Sequence, residues 1–190
     1  MLGELFLQDL SRFRAVGPKG RLASAAFCLR TPGVHAVFAY RLGRWALGQP
    51  RLVRLAIDPL YWILQLAVHV LWGIEISRHA RIGPGLYIGH SGGIVVSSQA
   101  TIGARFALSQ GVTIGVASAS GRAGAPHIGD DVYVGAGAKV LGPIVVGNNV
   151  KIGANAVVYR DLPDNAVVAL DPGFRIVSSR GNRRAQLKAA

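Results

Sequence analysis

Residues 128–158 read IGDDVYVGAGAKVLGPIVVGNNVKIGANAVV, and an aliphatic side chain returns in them at every sixth position: Ile128, Val134, Val140, Val146, Ile152 and Val158. A period of six is neither the 3.6 of an amphipathic helix nor the two of a half-buried strand. It describes short strands separated by turns and stacked as the coils of a solenoid, each coil adding aliphatics to one continuous buried column.

The same register runs upstream through Ile76, Ile82 and Ile88, then Val96, Ile102, Leu108 and Ile114, making thirteen positions in all. Glycine follows the aliphatic at Gly83, Gly89, Gly103, Gly115, Gly129, Gly135, Gly147 and Gly153. The expectation is that these corners demand a backbone conformation that glycine adopts most cheaply. Small residues at Ala104, Ala136 and Ala154 let successive corners stack closely.

Two breaks in the register mark places where chain must leave the stack. Ile88 and Val96 lie eight residues apart, which accommodates GHSGG at 89–93. Ile114 and Ile128 lie fourteen apart, so eight extra residues within VASASGRAGAP (116–126) are expected to form a mobile excursion.

Residues 1–73 lack the hexad and read as helices, among them GVHAVFAYRLGRWAL at 33–47. Asp58-Pro59 reads as an N-cap and first helical position and Gly73 as a stop, placing the last helix near 59–72. The uncharged run from Pro59 to Ile74 is sixteen residues, short of the roughly 20 that span a bilayer. It is read as docking on the solenoid or on a neighbouring subunit, with shallow membrane attachment as the lesser reading and His69 as a packed histidine. The divisions expected are a helical segment at 1–73, a β-helix domain at 74–177 and a basic tail at 178–190.

The 190 residues carry a net charge of +12, unevenly distributed. Residues 1–60 hold nine Lys/Arg against three acids and residues 174–190 five against none, leaving seven against six between. A basic head and tail around a neutral body suit an anionic membrane surface, a polyanionic substrate or simple solvation. No zinc-finger spacing, aromatic-basic signature or recognition-helix pattern supports a nucleic-acid partner. Cys28 is the only cysteine, and the first fourteen residues lack the layout of a signal peptide, so a reducing, cytoplasmic setting is expected, with the inner face of the membrane as a variant of it.

These motifs resemble the serine acetyltransferase branch of the hexapeptide-repeat acyltransferases over residues 33–177. The resemblance rests on GVHAVFAYRLGRWAL, GHSGGIVV (89–96), QGVTIG (110–115), VYVGAGAKVLG (132–142) and NAVVALDPGFRIV (165–177). It implies a left-handed parallel β-helix, assembly as homotrimers or dimers of trimers with sites between subunits, and acetyl-CoA as co-substrate without a metal. His90 occupies the family's catalytic histidine position, and Glu75 falls where its partner carboxylate, normally aspartate, sits fifteen residues earlier. That spacing also places the pair on neighbouring coils, about 4.8 Å apart in rise.

A neutral imidazole at 90 would take the proton of an attacking hydroxyl, and Glu75 would orient it. For the coenzyme, the resemblance implies backbone contacts at Val116, Ala136 and Ala154, with Lys151 near the phosphates. The acceptor side departs from the serine enzymes. The family's serine-binding aspartate is Gly89 here, its Arg-His pair is Gly124-Ala125, and its early acidic segment is Val16-Gly17-Pro18-Lys19. Together with PHIGD at 126–130, these positions are similar to colanic-acid and exopolysaccharide O-acetyltransferases. They lead to the expectation of a saccharide hydroxyl as acceptor, serine as the alternative and a non-catalytic trimeric scaffold as the second alternative. His127 is a candidate acceptor-side residue or a packing one.

Overall fold

A computed structural model describes residues 2–119 and 122–170. Strands of two or three residues, all parallel within the coils, line up into three sheets that form the faces of a prism. The first face stacks Ile74–Ile76, Ile94–Val96, Thr113–Gly115, Lys139–Leu141 and Val157–Val158. The second stacks Arg81–Ile82, Thr101–Ile102, His127–Ile128 and Val145–Val146. The third stacks Tyr87–Ile88, Ala107–Leu108, Tyr133–Val134, Lys151–Ile152 and Val167–Val168. The hexad reading of a β-solenoid therefore holds.

Register between coils records both breaks. Val134 pairs with Ile152, eighteen residues on, the length of three hexads. Ile88 pairs with Leu108, twenty residues on, because the GHSGG corner adds two. Leu108 pairs with Val134, twenty-six on, because the long excursion adds eight. That excursion is a β-hairpin, Ala117–Ala119 antiparallel to Arg122–Gly124, and its base returns to the core at Ala125.

All thirteen hexad aliphatics are buried. A second inward column lies two residues before each of them, running from Ile74, Ala80 and Leu86 through Phe106, Val112 and Val132 to Val150 and Ala156. Each coil thus points two side chains inward and one outward per face, as the strand period of two requires.

The glycines that follow the aliphatics serve close approach rather than unusual torsion angles. A Cβ at Gly83 would lie 2.7 Å from the backbone of Gly103 and Ala104, and one at Gly135 would lie 2.7 Å from Ala154 N. Positive φ falls elsewhere, at Gly93, Gly111 and Gly137 among others.

Four helices cover the first coil: α1 (Leu2–Val16), α2 (Arg21–Arg30), α3 (Pro32–Ala46) and α4 (Arg51–Trp72). α3 is the central one, with Val37, Ala39 and Tyr40 fully buried; the Tyr40 hydroxyl donates to Ala80 O and accepts from Ile82 N, both at 3.0 Å. α4 starts at Arg51, not at Pro59, and Pro59 lies inside it. Proline removes one helical hydrogen bond there, on an exposed side where no packing is disturbed. Asp58 does not cap; its carboxylate accepts from Arg78 at 2.6 Å and from Arg54 at 3.4 Å. α4 ends at Gly73 in the left-handed conformation, φ 60°, as the sequence suggested. The tail at 178–190, and the closing segment beyond residue 170, lie outside the described residues.

Candidate active site

The corner between the third and first faces repeats one backbone conformation from coil to coil. Gly93 (φ 65°), Gly111 (φ 70°) and Gly137 (φ 73°) occupy one position of three successive coils, and Asn155 (φ 58°) takes it in the next. Cβ atoms built on Gly93 and Gly111 would lie 3.5 and 3.3 Å from the Cα of the glycine on the following coil. Backbone hydrogen bonds tie the rungs together: Gly111 N to Gly92 O at 2.7 Å, Gly137 N to Gln110 O at 2.8 Å and Asn155 N to Ala136 O at 2.8 Å. L-residues adopt this conformation at a penalty that glycine escapes, which explains the spacing of these three glycines.

His90 stands exposed at the start of this edge, in the GHSGG corner that the register break creates. Ala136 and Ala154 lie on the same edge two and three coils away, and the first is half-buried while the second is exposed. Lys151 is exposed on the third face between Tyr133 and Val167, three residues before Ala154. The structure thus brings His90, Ala136, Ala154 and Lys151 to one side of the prism.

Other candidates lie elsewhere. Val116 is exposed at the opposite margin of the first face, where the hairpin departs. His127 points outward on the second face between Thr101 and Val145, near the same margin. Gly89 lies beside His90 and donates its N–H to Leu108 O at 3.0 Å; a Cβ there would meet nothing closer than Tyr87 Cε1 at 3.5 Å. Gly124 and Ala125 have no such room. A Cβ on Gly124 would lie 2.9 Å from Pro143 Cβ, and Ala125 is packed in the core.

Glu75 lies on the coil below His90, exposed, in register with Val95. No hydrogen bond joins the two side chains within the chain. Glu75 instead lines a groove of about 360 Å³ beneath α4, together with Gln65, His69, Arg78 and His79. His69 is exposed at this groove and is not the packed histidine expected. Close by, the hydrogen bond from Arg78 holds the Asp58 carboxyl below the usual range, with Arg54 adding to the effect.

One contributor escaped the hexad reading. Lys139 projects from the centre of the first face and donates to Gly111 O, fixing the glycine edge from the side. Its signal was positional: it stands one residue before the inward Val140, where a lysine points out over the face.

Residues 125–160 match the family described as bacterial transferase hexapeptide (six repeats). A serine acetyltransferase of Helicobacter pylori strain 26695 is 46% identical over 149 residues, covering 78% of this chain and 84% of the relative. The chain belongs to the serine acetyltransferase family of hexapeptide-repeat acyltransferases. The serine acetyltransferase of Mycobacterium tuberculosis is 40% identical over 156 residues, 81% of this chain and 64% of its own, so the chain spans less than two thirds of that relative. A solved serine acetyltransferase in complex with CoA superposes with a TM-score of 0.72 at 33% identity, covering 90% of this chain and 68% of that one.

Proposed function

We propose that this chain is an acetyl-CoA-dependent O-acetyltransferase with His90 as its general base. The observation that carries the reading is the exposed imidazole at the head of an edge lined by glycine and alanine. The glycine and alanine positions of the edge, Gly93, Gly111, Gly137, Ala136 and Ala154, leave room for an extended ligand to lie close to the backbone. The residues present suit acetyl-CoA: Ala136 and Ala154 leave the peptide open, and Lys151 supplies a cation on the same side. Val116, across the first face, belongs to this proposal only as a contact in the assembled homotrimer or doubled trimer that the family implies.

His90 takes the proton of the acceptor hydroxyl as its oxygen attacks the thioester carbonyl. The tetrahedral adduct collapses by breaking the C–S bond, and the imidazolium returns the proton to the departing thiolate. The products are an acetyl ester and free CoA, with no acyl-enzyme. Glu75 is proposed as the carboxylate that positions the imidazole.

Serine is the acceptor that the relatives support, and they support it better than the sugar hydroxyl anticipated from the acceptor-side residues. The sugar remains the second reading on one observation: Gly89, Gly124 and core-packed Ala125 supply neither the acid nor the cation that an amino-acid zwitterion calls for. Thiol release from acetyl-CoA, followed with serine and with a panel of saccharides, separates the two. Serine-dependent release that falls by about 10²–10⁴ in His90→Ala supports the first reading. Release with saccharide alone moves the acceptor to the second, and release unaffected by His90→Ala overturns the role of the base.

A further inference from the structure

α4 is held to the protein by one side only. Tyr61 and Val68 are buried, Leu64 and Trp72 pack half-buried against the core, Asp58 is tied to Arg78 of the first coil, and the opposite side is open. Leu52, Ala56, Pro59, Ile63, Leu66 and Val70 run along the middle of that open side at alternating steps of four and three, all exposed. Leu52 is 82% exposed, Ile63 67%, Leu66 63% and Val70 69%. At 3.6 residues per turn, the apolar arc from Trp62 through this row to Val53 and Leu71 covers roughly half the helix circumference.

The surface continues beyond α4. An apolar cleft of about 530 Å³ lies between Leu64 and Ala67 on α4 and Ala25 and Leu29 on α2. Leu22 and Leu29 of α2 are 88% and 74% exposed, and Arg21 and Arg30 bracket them, both exposed. On α4 the polar margin carries Arg51, Asp58, Gln65 and His69, and Trp62 sits at the boundary between that margin and the apolar arc. α1 adds the exposed Arg14, which lines the same cleft.

We infer that this face docks on an anionic lipid bilayer, with α4 lying in the plane of the interface. Three features select the bilayer. The arc is broader than the seam that a single partner helix covers, and it matches a cylinder sunk to half its depth. Tryptophan stands where the apolar side meets the polar one, the level that indole prefers at a membrane surface. Arg14, Arg21, Arg30 and Arg51 flank the apolar stripes. Asp58 is already paired and, among the described residues, Glu75 alone stands against them beneath the polar margin, so the rim stays net positive and attracts anionic headgroups. α4 has the length and composition of a membrane span. Crossing would pull Tyr61 and Val68 from the core and break the Asp58–Arg78 pair, so the helix lies on the bilayer instead.

The test is sedimentation of the full chain with phosphatidylcholine vesicles, with and without phosphatidylglycerol. The protein pellets with the anionic vesicles. The exposed double substitution Ile63→Glu/Leu66→Glu lowers that partition about tenfold or more, with oligomeric state and Tm unchanged. In a Trp45→Phe/Trp72→Phe background, where Trp62 is the one remaining indole, brominated lipid quenches its emission; this second readout decides the matter if the double variant does not fold. Wild-type protein that stays in the supernatant with both vesicles, or emission that brominated lipid leaves untouched, overturns the inference. So does a double variant whose oligomer dissociates while its vesicle partition is unaltered, which would assign the face to a second copy of the chain.

Discussion

Asp9 and Arg41 form a two-pronged ion pair shut away from solvent, Nε to Oδ2 at 2.7 Å and Nη2 to Oδ1 at 3.0 Å. Each partner also holds the solenoid. Arg41 donates to Ile82 O at 2.7 Å and Gly83 O at 2.6 Å, and Asp9 accepts from Leu86 N at 2.7 Å. α1 and α3 are thereby pinned to the same corner of the first coil. A buried pair offsets its desolvation only when its other donors and acceptors are met, as they are here.

Removing one partner leaves the other charged and stranded. Asp9→Ala is expected to lower unfolding free energy by about 3–5 kcal/mol, measured by denaturant titration. The double variant Asp9→Leu/Arg41→Met should recover a large part of that loss, since neither charge then remains buried. Equal loss in both variants would locate the stability in the carbonyl and N–H contacts alone.

The hexad could be read because burial repeats at a fixed spacing, and all thirteen aliphatics it marked are inside. The second inward column was hidden because its positions alternate among Ala80, Leu86, Phe106 and Val132, with no common residue type to betray a period. Pro59 after Asp58 carries a strong local start signal, which sets the expected start of α4 eight residues after the true one at Arg51. The exposed side of the helix tolerates the lost hydrogen bond, so the chain ran through it. At the candidate site, the register break marks the exposed corner that carries His90. Its relation to Glu75 was not, because a fifteen-residue spacing fixes the coil on which a side chain lies but not the direction in which it turns.

Acid should weaken the tie between α4 and the first coil. The hydrogen bond from Arg78 depresses the folded-state pKa of Asp58, and Arg105 does the same for Asp131. A carboxylate depressed in the folded state contributes stability that is fully present above its unfolded value near 4, and loses it as the pH falls through the lower folded value. The Tm difference between wild type and Asp58→Asn should therefore be constant from neutral pH down to about 5 and vanish at more acidic pH. A difference that persists in strong acid would mean that Asp58 acts through packing rather than charge.

Gly89 and Ala125 make opposite predictions about regaining an acceptor-binding group. At Gly89 a side chain has space, with the nearest atom at 3.5 Å and no left-handed φ to oppose it, so Gly89→Asp should stay within about 0.5 kcal/mol of wild type. It places a carboxylate next to His90, where the ammonium of an amino acid can meet it, and should raise kcat/KM for serine about tenfold relative to a saccharide hydroxyl. At Ala125 a histidine enters a packed core, and Ala125→His should destabilise by about 1–3 kcal/mol and yield no gain with serine. Steady-state rates with both acceptors, beside denaturation midpoints, check the pair. An unchanged preference in Gly89→Asp would remove position 89 from the acceptor side, and a stable Ala125→His would show that the base of the hairpin opens to admit a side chain.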